Sequence, residues 1–305
     1  MKKLVFLLLF LTLSCGKSTI QETEEAIDVA LSHLSEQECD KAIKVLEGIG
    51  RQNDNAVYLT TLASAYACRA NFNMVSFITD DIPRLNTTAA GMLTSLATLS
   101  LSAETTTDSQ TYLDIQTSVS ILGTTPTQAE RNEKFGARKA GDLGIQMVIM
   151  NIVGLGKFLR YYGNASATGV KGAGGATSKC FMNYTYAAAQ SARAVGSVGS
   201  CTGNTLGHAD LTTNKRKCEG LMLITNIIDT LPNIDLSNVD SFENISDLSA
   251  IVEDFKDIVV TVDSNLTTLM ETTSVSSCET LLNGSATERN NMELIYAALL
   301  EHYFL

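Results

Sequence analysis

Apolar side chains recur along this chain at intervals of three and four residues, in blocks separated by polar or glycine-containing breaks. That period places them on one face of a helix. From Glu24, the positions Ala26, Val29, Ala30 and His33 share a face, and Cys39, Ala42, Ile43, Leu46 and Ile49 share a second. Glu36-Gln37 marks the break between them, and Gly48 and Gly50 mark the end of the second helix. Leu59, Leu62, Ala63 and Tyr66, followed by Phe72, Val75 and Ile78, repeat the scheme. Met92, Leu93, Leu96, Leu99 and Leu101, then Tyr112, Ile115, Val119 and Leu122, predict the two helices of a third hairpin. Thr124-Thr125-Pro126 stops that pair and starts a new element, because proline suits a first helical turn. From Gln128 to Tyr162 no further proline intervenes, and a charged first half leads into Leu143 to Leu159, apolar on nearly all faces. Such a helix belongs in the middle of a bundle. Residues 163–179, rich in Gly, Ala, Ser and Thr, read as a loop. Further helices are predicted over 181–195 and 217–230. They are followed by a stripe from Ile251 to Leu269 and a last helix carrying Leu294, Ile295, Ala298, Leu299 and Tyr303. No two-residue alternation bounded by hairpin turns appears, so strands are not expected. The predicted class is all-α, with antiparallel helical hairpins over 23–125 continuing into a helical bundle with a buried central helix over 126–305.

The first two hairpins share a register. Ala26 aligns with Leu59, Ala30 with Ala63, His33 with Tyr66 and Ala42 with Val75, each pair offset by 33. A small residue where paired helices approach, with an aromatic three positions on, resembles the tetratricopeptide repeat, whose period is about 34 residues. His33 stands where that family has an aromatic, and no proline closes the first unit. The resemblance implies a concave surface built from first-helix side chains, on which Tyr58 and Arg69 are candidate partner contacts. In such a stack the second helix of one hairpin runs antiparallel to the first helix of the next. Cys39 opens the former and Cys68 closes the latter, which predicts a Cys39–Cys68 disulfide. Cys180 is then assigned to Cys201 across a glycine-rich turn, and Cys218 to Cys278 between the last helices.

Residues 1–14 carry a different pattern. Lys2 and Lys3 precede a short apolar run from Leu4 to Leu13, and small Ser14 stands before Cys15. A basic start, an apolar middle and a small residue at the cleavage position make a secretion signal, and the run is too short for a lasting membrane span. With Leu11, Leu13 and Ser14 before Cys15, the segment resembles the lipobox of bacterial lipoproteins, although Thr12 stands where that family prefers leucine. The resemblance implies cleavage after Ser14, a diacylglycerol thioether on Cys15 and acylation (palmitate-type) of its new amino group. Residues 15–22 would then be a lipidated tether. Gly16 rather than aspartate after the cysteine implies the outer membrane, with the chain facing the periplasm.

An exported chain with six further cysteines fits three disulfides, because that compartment is oxidising. The formal charge of -11 argues against nucleic acid and anionic lipid as direct partners. No Cys-x-x-Cys spacing and only three histidines give no motif for a metal site or a bound cofactor. Gly169 to Lys179 superficially echoes phosphate-binding loops, but Thr177 and Ser178 precede Lys179 and no strand leads in. His33, His208 and His302 belong to no catalytic string, and no catalytic residue is assigned. The reading from sequence is an outer-membrane lipoprotein acting as a periplasmic protein-interaction scaffold, not an enzyme. Two alternatives stay open. One is a binder of a small apolar ligand accessory to a transport system, with a tunnel beside Gly144, Gly154 and Gly156. The other is an enzyme without a recognisable motif.

Overall fold

The computed structural model describes residues 19–86, 88–103, 106–172, 180–194, 211–234, 266–301 and 304. Helix α1 (Thr19–Ser35) buries Thr23, Ala26, Ile27 and Ala30, and it begins within the stretch read as a tether. Val29 lies on its outward side, so the buried face is centred on Ala26 and Ala30 rather than on the full predicted set. Gln37 adopts a left-handed φ of 60°, and Glu38 N–H returns to His33 O at 2.8 Å, which closes the helix end. Helix α2 (Cys39–Gly48) buries Ala42, Ile43 and Leu46. Helix α3 (Ala56–Arg69) is capped by Asn55, whose side chain accepts from Tyr58 N–H at 3.1 Å. The three helices pack mutually, with Ala30, Ala42, Ala63 and Ala65 fully buried where they approach. A Cys39–Cys68 disulfide, with Cα atoms 5.6 Å apart, ties the start of α2 to the end of α3.

Beyond α3 the repeat stops. Asn73 caps helix α4 (Met74–Ser76), which runs at once into a π turn (Phe77–Asp81) and a 3-10 turn (Ile82–Arg84) containing Pro83. Val75, before the wider turn, is exposed, and the turn brings Phe77 at its start and Ile82 just after it into the core. The expected equivalence of Ala42 and Val75 therefore fails. Helix α5 (Ala89–Leu96) ends before Leu99 and Leu101, and helix α6 runs over Gln110–Leu122. They do not form the expected hairpin: α5 packs on the central helix, and α6 packs on α3 and the central helix.

The predicted run from Gln128 to Tyr162 is two helices. Thr127 and Glu130 form a capping box on α7 (Gln128–Phe135), and Gly136, at φ 78°, turns the chain into α8 (Ala137–Tyr162). Helix α8 is the centre of the molecule. It contacts α3, α5, α6, α7 and helix α10 (Asn214–Thr230), and every residue from Met147 to Leu159 is buried. It is long and apolar enough to cross a membrane, but 83% of its most apolar window is covered by the protein itself. All-round burial accounts for its all-round apolar sequence.

Residues 181–186, expected to be helical, are irregular, and helix α9 starts only at Ala187 and runs over Ala187–Ala194. Helix α11 (Thr267–Met270), α12 (Val275–Gly284) and α13 (Ala286–Tyr296) follow, and a π turn (Ala297–Glu301) closes the chain's helical part. A Cys218–Cys278 disulfide joins α10 to α12. Cys180 is disulfide-bonded too, and its assigned partner Cys201 lies outside the described residues, as does most of the Ile251 to Leu269 stripe. One buried cluster extends from Ile27 to Phe304, across the boundary drawn at residue 126. The protein is all-α, and no strand occurs among the described residues.

Candidate functional site

Polar side chains in a helical core are tolerated only when partnered, so the buried ones show what this interior can do. Arg131 of α7 is fully buried. It donates to Gln128 Oε1 at 2.9 Å, Thr125 O at 2.9 Å, Pro126 O at 2.8 Å and Thr230 Oγ1 at 2.8 Å, joining α7 to the end of α10. Desolvation pulls its pKa down from the ordinary arginine value. Between α6 and α10, Arg216 donates to Glu219 and to Asp108 at 2.6 Å each, beside the ring of Tyr112. Burial pushes the Tyr112, Tyr162 and Tyr296 phenols up, so these hydroxyls remain protonated donors.

A second cluster is built on the C-terminal turn. Glu301 is fully buried; one oxygen accepts from Phe181 N–H at 2.7 Å and from the Tyr184 hydroxyl at 2.8 Å, and the other is paired with Lys171. The Lys171 ammonium lies 4.8 Å from the centre of the Phe181 ring. Two turns earlier, Glu293 accepts from Thr185 N–H, Thr185 Oγ1 and Tyr186 N–H at 2.7–2.8 Å. The irregular segment 180–186 thus satisfies its backbone on two carboxylates in place of helical bonds. Periodicity carries no signal of this cluster, because Lys171 and the segment from Phe181 to Tyr186 are far in sequence from Glu293 and Glu301. Lys171 belongs to the glycine-rich stretch compared with phosphate-binding loops, and the structure places it in the core. Gly169 in that stretch has φ 80°, and a Cβ there would lie 2.3 Å from Thr94 O. Its glycine serves a close backbone approach.

The two candidate partner contacts are used internally. Tyr58 has no exposed surface and its hydroxyl donates to Leu46 O at 3.0 Å, which removes it from the surface set. Arg69 forks onto Asp114 at 2.7 and 2.8 Å and reaches Asp40 at 3.2 Å, so it holds α3 against α6 and α2. Its pKa is raised above the ordinary arginine value chiefly by Asp114. Tyr66 donates to Glu47 at 2.5 Å, and burial together with that carboxylate pushes its phenol up to about 12. His33 Nδ1 lies 2.7 Å from Glu38, which also pairs with Lys41; His208 and His302 lie outside the described residues. Lys41 and then His33 hold the Glu38 carboxyl below its ordinary value.

The room beside Gly144, Gly154 and Gly156 of α8 is filled by neighbours. A Cβ on Gly154 would meet Leu223 at 2.8 Å, and one on Gly144 would meet Gln128 and Ile234. A cavity of about 20 Å³ lies on another side of α8, lined by Leu93, Leu96, Ile152, Leu155, Ile227 and Leu300 among others. A polar groove of about 290 Å³ runs between the start of α1 and residues 51–55. On α1 itself Ile20, Val29 and Leu31 are exposed, at 70%, 47% and 48%. Compared with known protein families, with curated proteins and with solved structures, the chain matches none.

Proposed function

We propose that this chain is a lipid-anchored helical scaffold of the outer membrane that binds a protein partner in the periplasm through the outward face of α1. The observation that carries the reading is the set of exposed apolar side chains on the first helix after the tether. Ile20 and Leu31 are three helical turns apart and therefore lie on the same side, whereas Val29, two and a half turns from Ile20, points to the opposite side. Glu24, Asp28 and Glu25 fill the sector of the helix between this pair and Val29, an arrangement that offers an apolar edge beside an acidic face. The lipid on Cys15 would hold this helix near the membrane surface. The apolar-ligand reading has less behind it, because about 20 Å³ is far below the ~300–1,000 Å³ of small-molecule sites.

Two experiments test the proposal. In intact cells, crosslinking followed by identification of captured species should recover a partner with the natural chain, and Ile20→Asp with Leu31→Asp should lose it. Both residues are exposed, so the helical spectrum and melting curve should stay unchanged. Capture undiminished by the double change would remove α1 from the interface. For the anchor, Cys15→Ser should abolish fatty-acid labelling and release the protein from membranes; label retained by that variant would refute lipidation there. Replacement of His33, His208 or His302 should leave capture intact, and loss of the cellular role in a folded histidine variant would favour an enzyme.

A further inference from the structure

We propose that the turn between α1 and α2 binds a zinc ion through His33, Glu36 and Glu38. The three residues occupy a His-x-x-Glu-x-Glu string that no helical periodicity brings together, since it spans a helix end. The turn does so. One ligand atom from each lies within 4.8 Å of the other two. Ligands at ~2.0–2.2 Å from a tetrahedral zinc stand roughly 3.3 Å apart, so side-chain rotations alone bring the three into range. His33 Nδ1 and Glu38 are 2.7 Å apart in a hydrogen bond, which the metal would replace with its own bonds to both.

The backbone beneath the trio is held on both sides. Glu38 N–H bonds His33 O at 2.8 Å across the left-handed Gln37, and the next residue, Cys39, is bonded to Cys68 of α3. All three side chains reach solvent to some degree, which leaves a path for the ion and a fourth position for water. The donor set selects the metal. One imidazole and two carboxylates suit a first-row transition ion, whereas calcium takes six to eight oxygens and magnesium keeps most of its waters. Lys41 is the built-in competitor, donating to Glu38 at 2.5 Å. It holds the carboxylate oxygen that faces away from His33, so its ammonium opposes an arriving divalent ion by charge.

Isothermal titration of the purified, folded protein with zinc, after chelator treatment, tests the site. The expected result is a saturable site that His33→Ala and Glu36→Gln each weaken at least tenfold, and that calcium does not occupy. Lys41→Met should tighten binding several-fold, a change that a merely structural role for the turn would not produce. Histidine variants at 208 and 302 should bind as the natural chain does. Absence of saturable binding overturns the proposal, as does binding that His33→Ala leaves unmoved. Melting curves without metal establish that each variant is folded.

Discussion

At the residue scale, phenols in this fold are held neutral by burial and by acceptors. Tyr66 is the accessible case, because it combines partial burial with the Glu47 carboxylate, and its phenol stands at about 12 against an ordinary 10.0. Ionising it would put a second negative charge beside Glu47, so the folded state resists. The linkage has a definite sign: a folded pKa above the unfolded one contributes stability below about pH 10 and loses it as pH climbs towards 12. Near-ultraviolet absorbance titration should show Tyr66 as a late-ionising tyrosine, and Glu47→Gln should move it earlier. An unshifted titration in that variant would mean that burial alone sets the value. Glu38 has the opposite sign: its depressed pKa contributes above the ordinary carboxylate range and is lost on acidification.

At the scale of elements, glycines of α8 show how one residue type serves different ends. A Cβ on Gly156 would sit 2.5 Å from Leu96 O and 2.5 Å from Ser102 Oγ, where α5 ends against α8. Backbone cannot step aside as a side chain does, so Gly156→Ala should cost about 1–3 kcal/mol by overpacking. Gly141, in the same helix, has nothing within 4 Å of its Cβ position. There the methyl adds only helix propensity, and Gly141→Ala should stabilise by about 0.5–1 kcal/mol. Urea denaturation of the two variants checks both signs, and a stabilising Gly156→Ala would mean that α5 does not pack as described. The same contact explains why the third hairpin fails to form: α5 gains a closely fitting seat on α8, leaving α6 to pack on α3 and α8.

Across the whole molecule, the C-terminal turn connects parts that are distant in sequence. Glu301 joins Lys171, Phe181 and Tyr184, and removing its charge would weaken the buried ion pair it makes with Lys171. Breaking one side of such a pair typically costs about 3–5 kcal/mol. Glu301→Gln should therefore lower the denaturation midpoint strongly, while adding Lys171→Met should recover part of the loss, since contacting residues are not additive. Strictly additive losses in that cycle would show that the two side chains are not coupled.

The pattern of apolar positions was enough to determine the all-α class, the run of α1 to α3 and the central place of Leu143 to Leu159, because helical period and all-round apolarity report burial directly. The Cys39–Cys68 contact follows from the start of one helix meeting the end of the next and was legible, whereas Cys218–Cys278 came out as the pair left over after the other assignments. Tertiary structure alone decided the rest. Whether Tyr58 faces solvent or the Leu46 carbonyl depends on which helix covers it, and whether α5 pairs with α6 or with α8 depends on a glycine sixty residues away. The clustering of Lys171 with Glu301, and of His33 with Glu36 and Glu38, depends on chain reversals that bring unrelated positions within reach. Periodicity encodes the face a residue presents within its own element; the identity of what lies opposite is set by packing between elements.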